Sequence, residues 1–320
     1  MHLFLKANNL TSDLKFEPDP GATTRSRILQ RCRWPRWQGR LPGRRRSQEQ
    51  FGMSYKEDVL DCGDAGPVRV RVYKGDADFD NPPLVMHLHG GFFLGGSLDE
   101  GSRVATQLAN AGAVVVSIEY ANVGVAPFPA SLEFVFKVLD ALKGRCAKLA
   151  ARKSFLFVAG EEAGGNLAAG VALMARDQGM TALGGQILLS PMLDPCLATR
   201  SFRNSEATES QCPWTAGWNH YLGFAAKGCH PYATPAHCMR LAGVAPALVI
   251  TAEDDPTRDE SLNYARRLRE AGVLVRESIL AGPTGWPKDY SDSTNKKRDW
   301  EEKIRGDFAA FFHETGALSY

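Results

Sequence analysis

Three short segments of the chain carry residue types that could act together in catalysis. They read His89-Gly90-Gly91-Phe92-Phe93, Gly160-Glu161-Glu162-Ala163-Gly164-Gly165 and Asp254-Asp255-Pro256. The second segment has the small residues that let a strand turn sharply into a helix and present one central side chain. A nucleophile on such a turn, an acid that orients a base, and loop N–H groups that bind an oxyanion perform acyl transfer. The central residue here is Glu162.

The segments around these motifs predict alternating strands and helices. Strand patterns fall at 68–73, 84–89, 113–120, 155–159, 186–189, 247–251 and 273–280. Helical spacing falls at 103–111, 130–150, 166–176 and 298–314. This alternation favours an α/β fold with a mainly parallel central sheet and helices on both faces. Such a sheet gathers reactive groups at the carboxyl ends of its strands, which is where the three motifs lie.

The order and spacing of the motifs resemble those of the hormone-sensitive-lipase-like esterases, also called bacterial family IV, of the α/β-hydrolase superfamily. Members show an HGGGF-type loop, a GDSAGGN elbow, a DPLRDE loop and then a histidine. Pro127-Phe-Pro-Ala130, Ser190-Pro-Met-Leu-Asp194 and Pro231-Tyr-Ala-Thr-Pro235 also match. The resemblance implies an α/β-hydrolase fold, and the aromatic segment 196–230 is expected to form a small helical cap.

The catalytic positions depart from the family pattern. Glu162 stands at the serine position, and Thr284 stands at the position of the histidine base. Asp255 occupies the acid position, and the only later histidine, His313, falls in the closing helix. The family's YRLAPE stretch is replaced by Tyr120-Ala-Asn-Val-Gly-Val125. The Ser-His-Asp triad is therefore incomplete.

The oxyanion hole, by contrast, keeps its backbone donors. The resemblance assigns it to the N–H groups of Gly90, Gly91 and Ala163. Glu162 begins a helix, whose dipole and free N–H groups favour an ionised carboxylate. We expect this carboxylate to reach the oxyanion-hole donors, and the turn to hold Glu162 at a positive φ.

Asp255 has a second interpretation. Aspartate before proline at the start of a helix is a common cap, so Asp255 could be structural rather than catalytic. With no histidine to orient, the structural interpretation is favoured.

Three functions remain open. The first, which we favour, is a pseudoenzyme that binds a small apolar ligand, for which the plant gibberellin receptor is a family precedent. The second is a hydrolase of altered chemistry, in which Glu162 is a carboxylate nucleophile or an acid/base acting on an ester, an epoxide or a related substrate. The third is a weak hydrolase that uses Ser97, Ser102 or Ser190. None of them calls for a cofactor or a metal.

Charge is distributed unevenly along the 320 residues, whose net charge is +2. Residues 1–54 carry an excess of seven positive charges and are interpreted as a basic N-terminal extension or part of the cap. Residues 55–320 form the α/β-hydrolase domain. Prolines and glycines break the Arg-rich stretch 25–47, so nucleic-acid binding is not favoured.

The cysteines and the hydropathy pattern bear on location and partners. Seven cysteines, none with the spacing of a zinc motif, favour reduced thiols and a cytoplasmic protein. No apolar run reaches the ~18 residues that indicate a membrane span. The expected partner is a small apolar molecule or an acyl ester, and the resemblance suggests a homodimer.

Overall fold

Nine strands of the described chain form a single sheet in the computed structural model. The structure describes residues 47–318 except 77–78, 121–125, 182, 206–211, 224–229, 293 and 295. The strands are β1 (Ser47–Gln50), β2 (Met53–Asp61), β3 (Pro67–Lys74), β4 (Leu84–Leu88), β5 (Val114–Ile118), β6 (Leu156–Glu161), β7 (Leu183–Leu189), β8 (Ala247–Ala252) and β9 (Val275–Leu280). The helices are α1 (Ser102–Asn110), α2 (Ala130–Lys143), α3 (Cys146–Leu149), α4 (Glu162–Asp177), α5 (Arg200–Arg203), α6 (Pro213–Leu222), α7 (Arg258–Glu270) and α8 (Trp300–Glu314). Two 3-10 turns lie at Gly63–Ala65 and Pro235–His237.

The strand order is β1-β2-β3-β5-β4-β6-β7-β8-β9. Strands β1 to β3 pair antiparallel and β3 pairs antiparallel with β5, whereas every pair from β5 to β9 is parallel. The mainly parallel sheet predicted from the sequence is thus confirmed. The boundary of the N-terminal extension is corrected, because residues 47–54 form β1 and the start of β2. Backbone hydrogen bonds hold these residues in the sheet, although their sequence lacks the alternation of apolar and polar residues that marks a strand.

Both faces of the sheet are covered by helices. On one face α1 and α8 pack on apolar strand residues, and Phe157 meets Phe311 and Phe312 edge to face at 6.0 and 5.1 Å. Helices α2 and α4 pack against each other, where a Cβ on Gly170 would lie 3.0 Å from Leu132. The predicted helix at 130–150 is two helices, separated at Gly144.

A buried arginine fastens the chain before α8 to α1. Arg103 is 1% exposed and donates to the carbonyl oxygens of Asp292, Thr294 and Lys296 at 3.2, 2.6 and 3.0 Å. It also contacts the carboxylate of Glu301. These hydrogen bonds therefore hold in place the segment before α8, which has no regular secondary structure.

The predicted cap segment 196–230 contains α5 and α6. Two parts of it, 206–211 and 224–229, lie outside the described residues, as do the Arg-rich stretch 25–46 and the loop 121–125. Among the described helices, none combines the length and apolar character needed to cross a membrane.

Candidate functional site

The nucleophile elbow is kept, with a glutamate at its centre. Strand β6 ends at Glu161 and α4 begins at Glu162, whose φ is 48°. This left-handed backbone is unfavourable for a residue with a side chain and persists only where the surroundings impose it. Gly164 allows the turn, since a Cβ there would lie 2.2 Å from the carbonyl oxygen of Leu88. The sequence therefore holds Glu162 where an esterase holds its serine.

The Glu162 carboxyl lies in the loop that was predicted to be the oxyanion hole. Its Oε2 accepts a hydrogen bond from the Gly91 N–H at 2.9 Å. The Phe92 N–H is a second backbone donor to this carboxyl. A Cβ on Gly90 would lie 3.0 Å from the same oxygen, so the loop fits closely around it. Ala163, the third predicted donor, is buried in the first turn of α4. The glutamate side chain itself thus engages the backbone donor of Gly91.

Burial decides the protonation state of Glu162. The side chain is 2% exposed, and loss of solvent raises its pKa from 4.5 to about 8. The donors on Gly91 and Phe92 oppose this shift in the pKa, and the charge of Glu161 adds to it. The helix N-terminus led us to expect an ionised carboxylate. Desolvation instead outweighs these donors, and the carboxyl is mainly protonated at neutral pH.

Tyr290 completes the surroundings of Glu162, although no sequence motif indicates this role. It is 1% exposed and packs edge to face on Trp286 at 5.2 Å. Its hydroxyl interacts with the Glu162 carboxyl, although it lacks a regular hydrogen-bond geometry to any described group. Burial first, and then the charges of Glu162 and Asp255, raise the pKa of Tyr290 well above its usual range. A neutral phenol therefore faces both acidic positions.

Asp255 at the acid position is saturated with hydrogen bonds. Its Oδ2 accepts from the hydroxyls of Ser190 and Thr251 at 2.5 and 2.6 Å. Its Oδ1 accepts from the backbone N–H and the hydroxyl of Thr257 at 2.8 and 2.9 Å. Burial raises the pKa of Asp255, and these donors oppose the rise. Asp255 links the ends of β7 and β8 to the start of α7, in keeping with the structural interpretation.

Thr284 at the histidine position pairs with a different aspartate. Its hydroxyl and its backbone N–H donate to Asp254 at 2.8 Å each, and Gly285 N–H donates to Asp254 at 2.9 Å. Trp286 N–H in turn donates to the Thr284 hydroxyl at 3.1 Å. The structure thus brings Glu162 to the oxyanion-hole loop, but it orients Thr284 toward Asp254 rather than Asp255.

A buried network of three polar side chains lies next to the elbow. His87 Nε2 lies 3.0 Å from both carboxyl oxygens of Glu161, and its Nδ1 lies 2.9 Å from the Ser117 hydroxyl. The three side chains are 0 to 1% exposed and come from β4, β5 and β6. A hydroxyl, an imidazole and a carboxyl are also the three groups of a serine hydrolase triad. Because the hydroxyl is sealed from solvent, their arrangement positions Glu161 rather than offering a nucleophile.

His89 organises the glycine-rich loop. Its Nδ1 lies 2.7 Å from the Gly90 carbonyl oxygen, and its ring stacks on Tyr120 at 4.3 Å. Burial lowers the pKa of His89 to about 4, so the ring is neutral at physiological pH. It therefore cannot supply positive charge to Glu162.

The cap helix α6 packs directly on this loop. Phe92 meets Trp214 edge to face at 4.8 Å, and Phe93 stacks on Tyr221 at 4.0 Å. A Cβ on Gly217 would lie 1.8 Å from the Phe92 carbonyl oxygen, so a glycine is required at this crossing. The aromatic residues of the cap thus pack directly on the loop that carries the oxyanion-hole donors.

Comparison with known proteins identifies the family. A family model described as alpha/beta hydrolase fold matches residues 85–282. Carboxylesterase NlhH of Mycobacterium tuberculosis is 34% identical over 217 residues, which cover 66% of this chain and 68% of the relative. The Gibberellin receptor GID1A of Arabidopsis thaliana is 28% identical over 211 residues, covering 62% and 61% of the two chains.

A solved structure supports the same family. A hyperthermophilic esterase from Pyrobaculum calidifontis superimposes with a TM-score of 0.69 and 30% identity, over 82% of this chain and 86% of that one. With the family model and the relatives, this similarity confirms the predicted fold. The chain belongs to the hormone-sensitive-lipase-like esterases of the α/β-hydrolase superfamily.

Proposed function

We propose that this protein is a non-hydrolytic or catalytically impaired member of its family that binds a small apolar ligand. The observation that carries the proposal is the 2.9 Å hydrogen bond from Gly91 N–H to the Glu162 carboxyl. An ester carbonyl must use this donor when it becomes an oxyanion, and here a side chain of the protein already holds it. The same substitution removes the serine that would attack the ester.

The neighbouring groups also argue against a competent triad. Tyr290, whose pKa is raised well above its usual range, cannot accept a proton at neutral pH. The Thr284 hydroxyl is committed to Asp254, and Asp255 is saturated by hydroxyl and amide donors. No group among the described neighbours of Glu162 can act as the base that a hydrolase of this family needs.

Two observations support a binding role for an apolar ligand. One relative is named a receptor, so a chain similar to this one has a binding role. In this protein the cap residues that contact the oxyanion-hole loop are aromatic, with Phe92 against Trp214 and Phe93 against Trp218. Aromatic rings bury large apolar area and suit the hydrocarbon part of a ligand.

Hydrolysis and binding can be tested with one compound. We expect p-nitrophenyl butyrate to be hydrolysed no faster by the wild-type protein than by Glu162→Ala. We also expect the compound to quench tryptophan fluorescence in a saturable way, with a smaller change in Trp214→Phe. Robust, saturable hydrolysis by the wild-type protein would refute the proposal, and its loss in Glu162→Ala would assign that activity to Glu162.

A second candidate is chemistry by Glu162 itself, as a carboxylate nucleophile or an acid/base. The raised pKa of about 8 favours the acid/base form, because a buried carboxyl that keeps its proton near neutral pH can act as a general acid, whereas a nucleophilic carboxylate must be ionised. A nucleophilic Glu162 would open an epoxide by forming a carboxylate ester, while the ring oxygen takes up a proton. Incubation with styrene oxide followed by peptide mass analysis tests this. An adduct on the Glu162 peptide supports the nucleophilic form of this candidate, and its absence at saturating epoxide argues against that form.

We further propose that the protein is cytoplasmic and assembles as a homodimer. The five described cysteines are all free thiols, which suits a reducing compartment. Among the described strands, β9 is one edge of the sheet and exposes Ile279, so it offers a surface for a second copy. Light scattering of the purified protein measures the mass directly.

A further inference from the structure

Three side chains of metal-binding type converge at the surface, away from the catalytic positions. Asp194 and Cys196 lie in the loop after β7, and His237 ends the 3-10 turn Pro235–His237. In the part of the chain that the structure describes, one ligand atom from each lies within 4.8 Å of the other two. His237 Nε2 and Asp194 Oδ1 lie 3.1 Å apart.

Hydrogen bonds connect the two loops that carry these side chains. The buried Asn166 of α4 donates one hydrogen bond to the Met192 carbonyl at 2.8 Å and another to the Ala233 carbonyl at 3.0 Å. Ala236 N–H donates to the Leu193 carbonyl at 3.3 Å, directly beside two of the three side chains. The two loops are therefore fixed to each other, so their arrangement does not depend on a bound ion.

Further contacts fix the individual ligand positions. Arg267 donates to the carbonyl oxygens of Ala236 and Cys238, on either side of His237. Cys196 N–H donates to Asp194 Oδ1 at 2.9 Å, which curves the loop and brings the thiol back toward the carboxylate. These contacts give the cluster the ordered backbone on which metal sites depend.

An ordinary surface ion pair explains only part of this arrangement. A His237–Asp194 pair at 40% and 23% side-chain exposure contributes little to stability, and it does not call for a thiol. A thiolate, an imidazole and a carboxylate together are the ligand set that zinc accepts. Thiolate and imidazole ligands also select zinc over calcium and magnesium, which prefer oxygen.

We propose that Asp194, Cys196 and His237 form a zinc site with three protein ligands. The fourth tetrahedral position stays open to water or to a small anion, as in exchangeable and catalytic sites. Binding forms a bond from zinc to Cys196 Sγ and releases the thiol proton to solvent, with no change of oxidation state. This proposal is independent of whether the esterase site is active.

Cobalt substitution reports the thiolate ligand directly. Reduced, metal-free full-length protein is titrated with Co²⁺ to follow the thiolate-to-cobalt charge-transfer band, and Zn²⁺ affinity is measured against a chromophoric chelator. We expect one equivalent to bind, the band to vanish in Cys196→Ser, and affinity in His237→Ala to fall by about 100-fold or more. Cys146→Ser is the control, because its partly exposed thiol donates to the Ser154 carbonyl and lies outside the cluster.

Two results would overturn the proposal. One is wild-type protein that shows no charge-transfer band at excess Co²⁺. The other is a band that survives in Cys196→Ser, since the thiolate ligand would then be elsewhere. Because the three side chains are partly exposed, both variants should keep the wild-type circular dichroism spectrum, and p-nitrophenyl butyrate hydrolysis should not change with zinc.

Discussion

Replacing Glu162 by glutamine should change how the stability of the protein depends on pH. The folded state raises the pKa of Glu162 to about 8, whereas the unfolded chain has the ordinary value of 4.5. Between these two values the unfolded chain has released a proton that the folded protein still holds. The contribution of Glu162 to folding is therefore fully present below pH 4.5 and is lost progressively as the pH rises toward 8. Glutamine keeps the shape and the acceptor for Gly91 N–H, but it does not titrate.

The magnitude follows from the span of the titration. Each pH unit within the window changes the free energy of unfolding by about 1.4 kcal/mol. Between pH 5 and pH 8 the wild-type protein should thus lose about 4 kcal/mol relative to Glu162→Gln. Other buried acids, such as Asp255 and Glu260, titrate alike in both proteins, and their effects cancel in the difference.

Urea unfolding followed by tryptophan fluorescence at several pH values measures this difference. We expect the midpoint of Glu162→Gln to move upward relative to wild type as the pH rises, with little change in the slope m. A Lys56→Gln variant at an exposed position serves as a control for a charge change unrelated to the elbow. A stability difference that stays constant from pH 5 to pH 8 would refute the protonated, buried Glu162 that the structure indicates.

Three further substitutions test the contacts around the site, each by urea unfolding. Asp255→Ala should destabilise the protein by about 3 kcal/mol or more, because it leaves buried donors without an acceptor. Gly164→Ala should cost a similar amount or prevent folding, since its Cβ would lie 2.2 Å from the Leu88 carbonyl oxygen; a loss under about 1 kcal/mol would contradict the close approach. Arg103→Leu should cost about 3 to 5 kcal/mol by leaving the Glu301 carboxylate unpaired, and a near-neutral effect would show that this contact is unimportant.

Much of the fold could be predicted from the sequence, because buried parallel strands have a distinctive composition. The runs at 84–89, 155–159 and 247–251 are mainly apolar, and they became β4, β6 and β8. Motif glycines then located the elbow, since few residues besides glycine allow such a close approach of strand and helix. The β1–β2 hairpin was missed because Ser47–Gln50 are all polar and β2 alternates apolar and polar residues only at its start, Met53 to Tyr55.

The side-chain contacts of the site could be predicted only in part. That Glu162 faces Gly91 follows from the elbow and the loop, both of which are visible as motifs. The pairing of Thr284 with Asp254, one residue before the expected acid, depends on the exact path of a loop. Tyr290 carries no motif and reaches Glu162 only through the fold. The protonation of Glu162 depends on burial, which no residue pattern reveals.

Because its carboxyl accepts the hydrogen bond from Gly91 N–H, the Glu162 side chain competes with any ligand for this donor. A carboxyl attached to the elbow has an effective concentration at the Gly91 N–H far above that of any free molecule. A boronic acid or any other ligand that depends on the oxyanion hole must displace it, and would bind weakly. For the small apolar ligand that we propose, binding would then depend on contacts of its hydrocarbon part, so selectivity should follow the shape of the acyl or alkyl group.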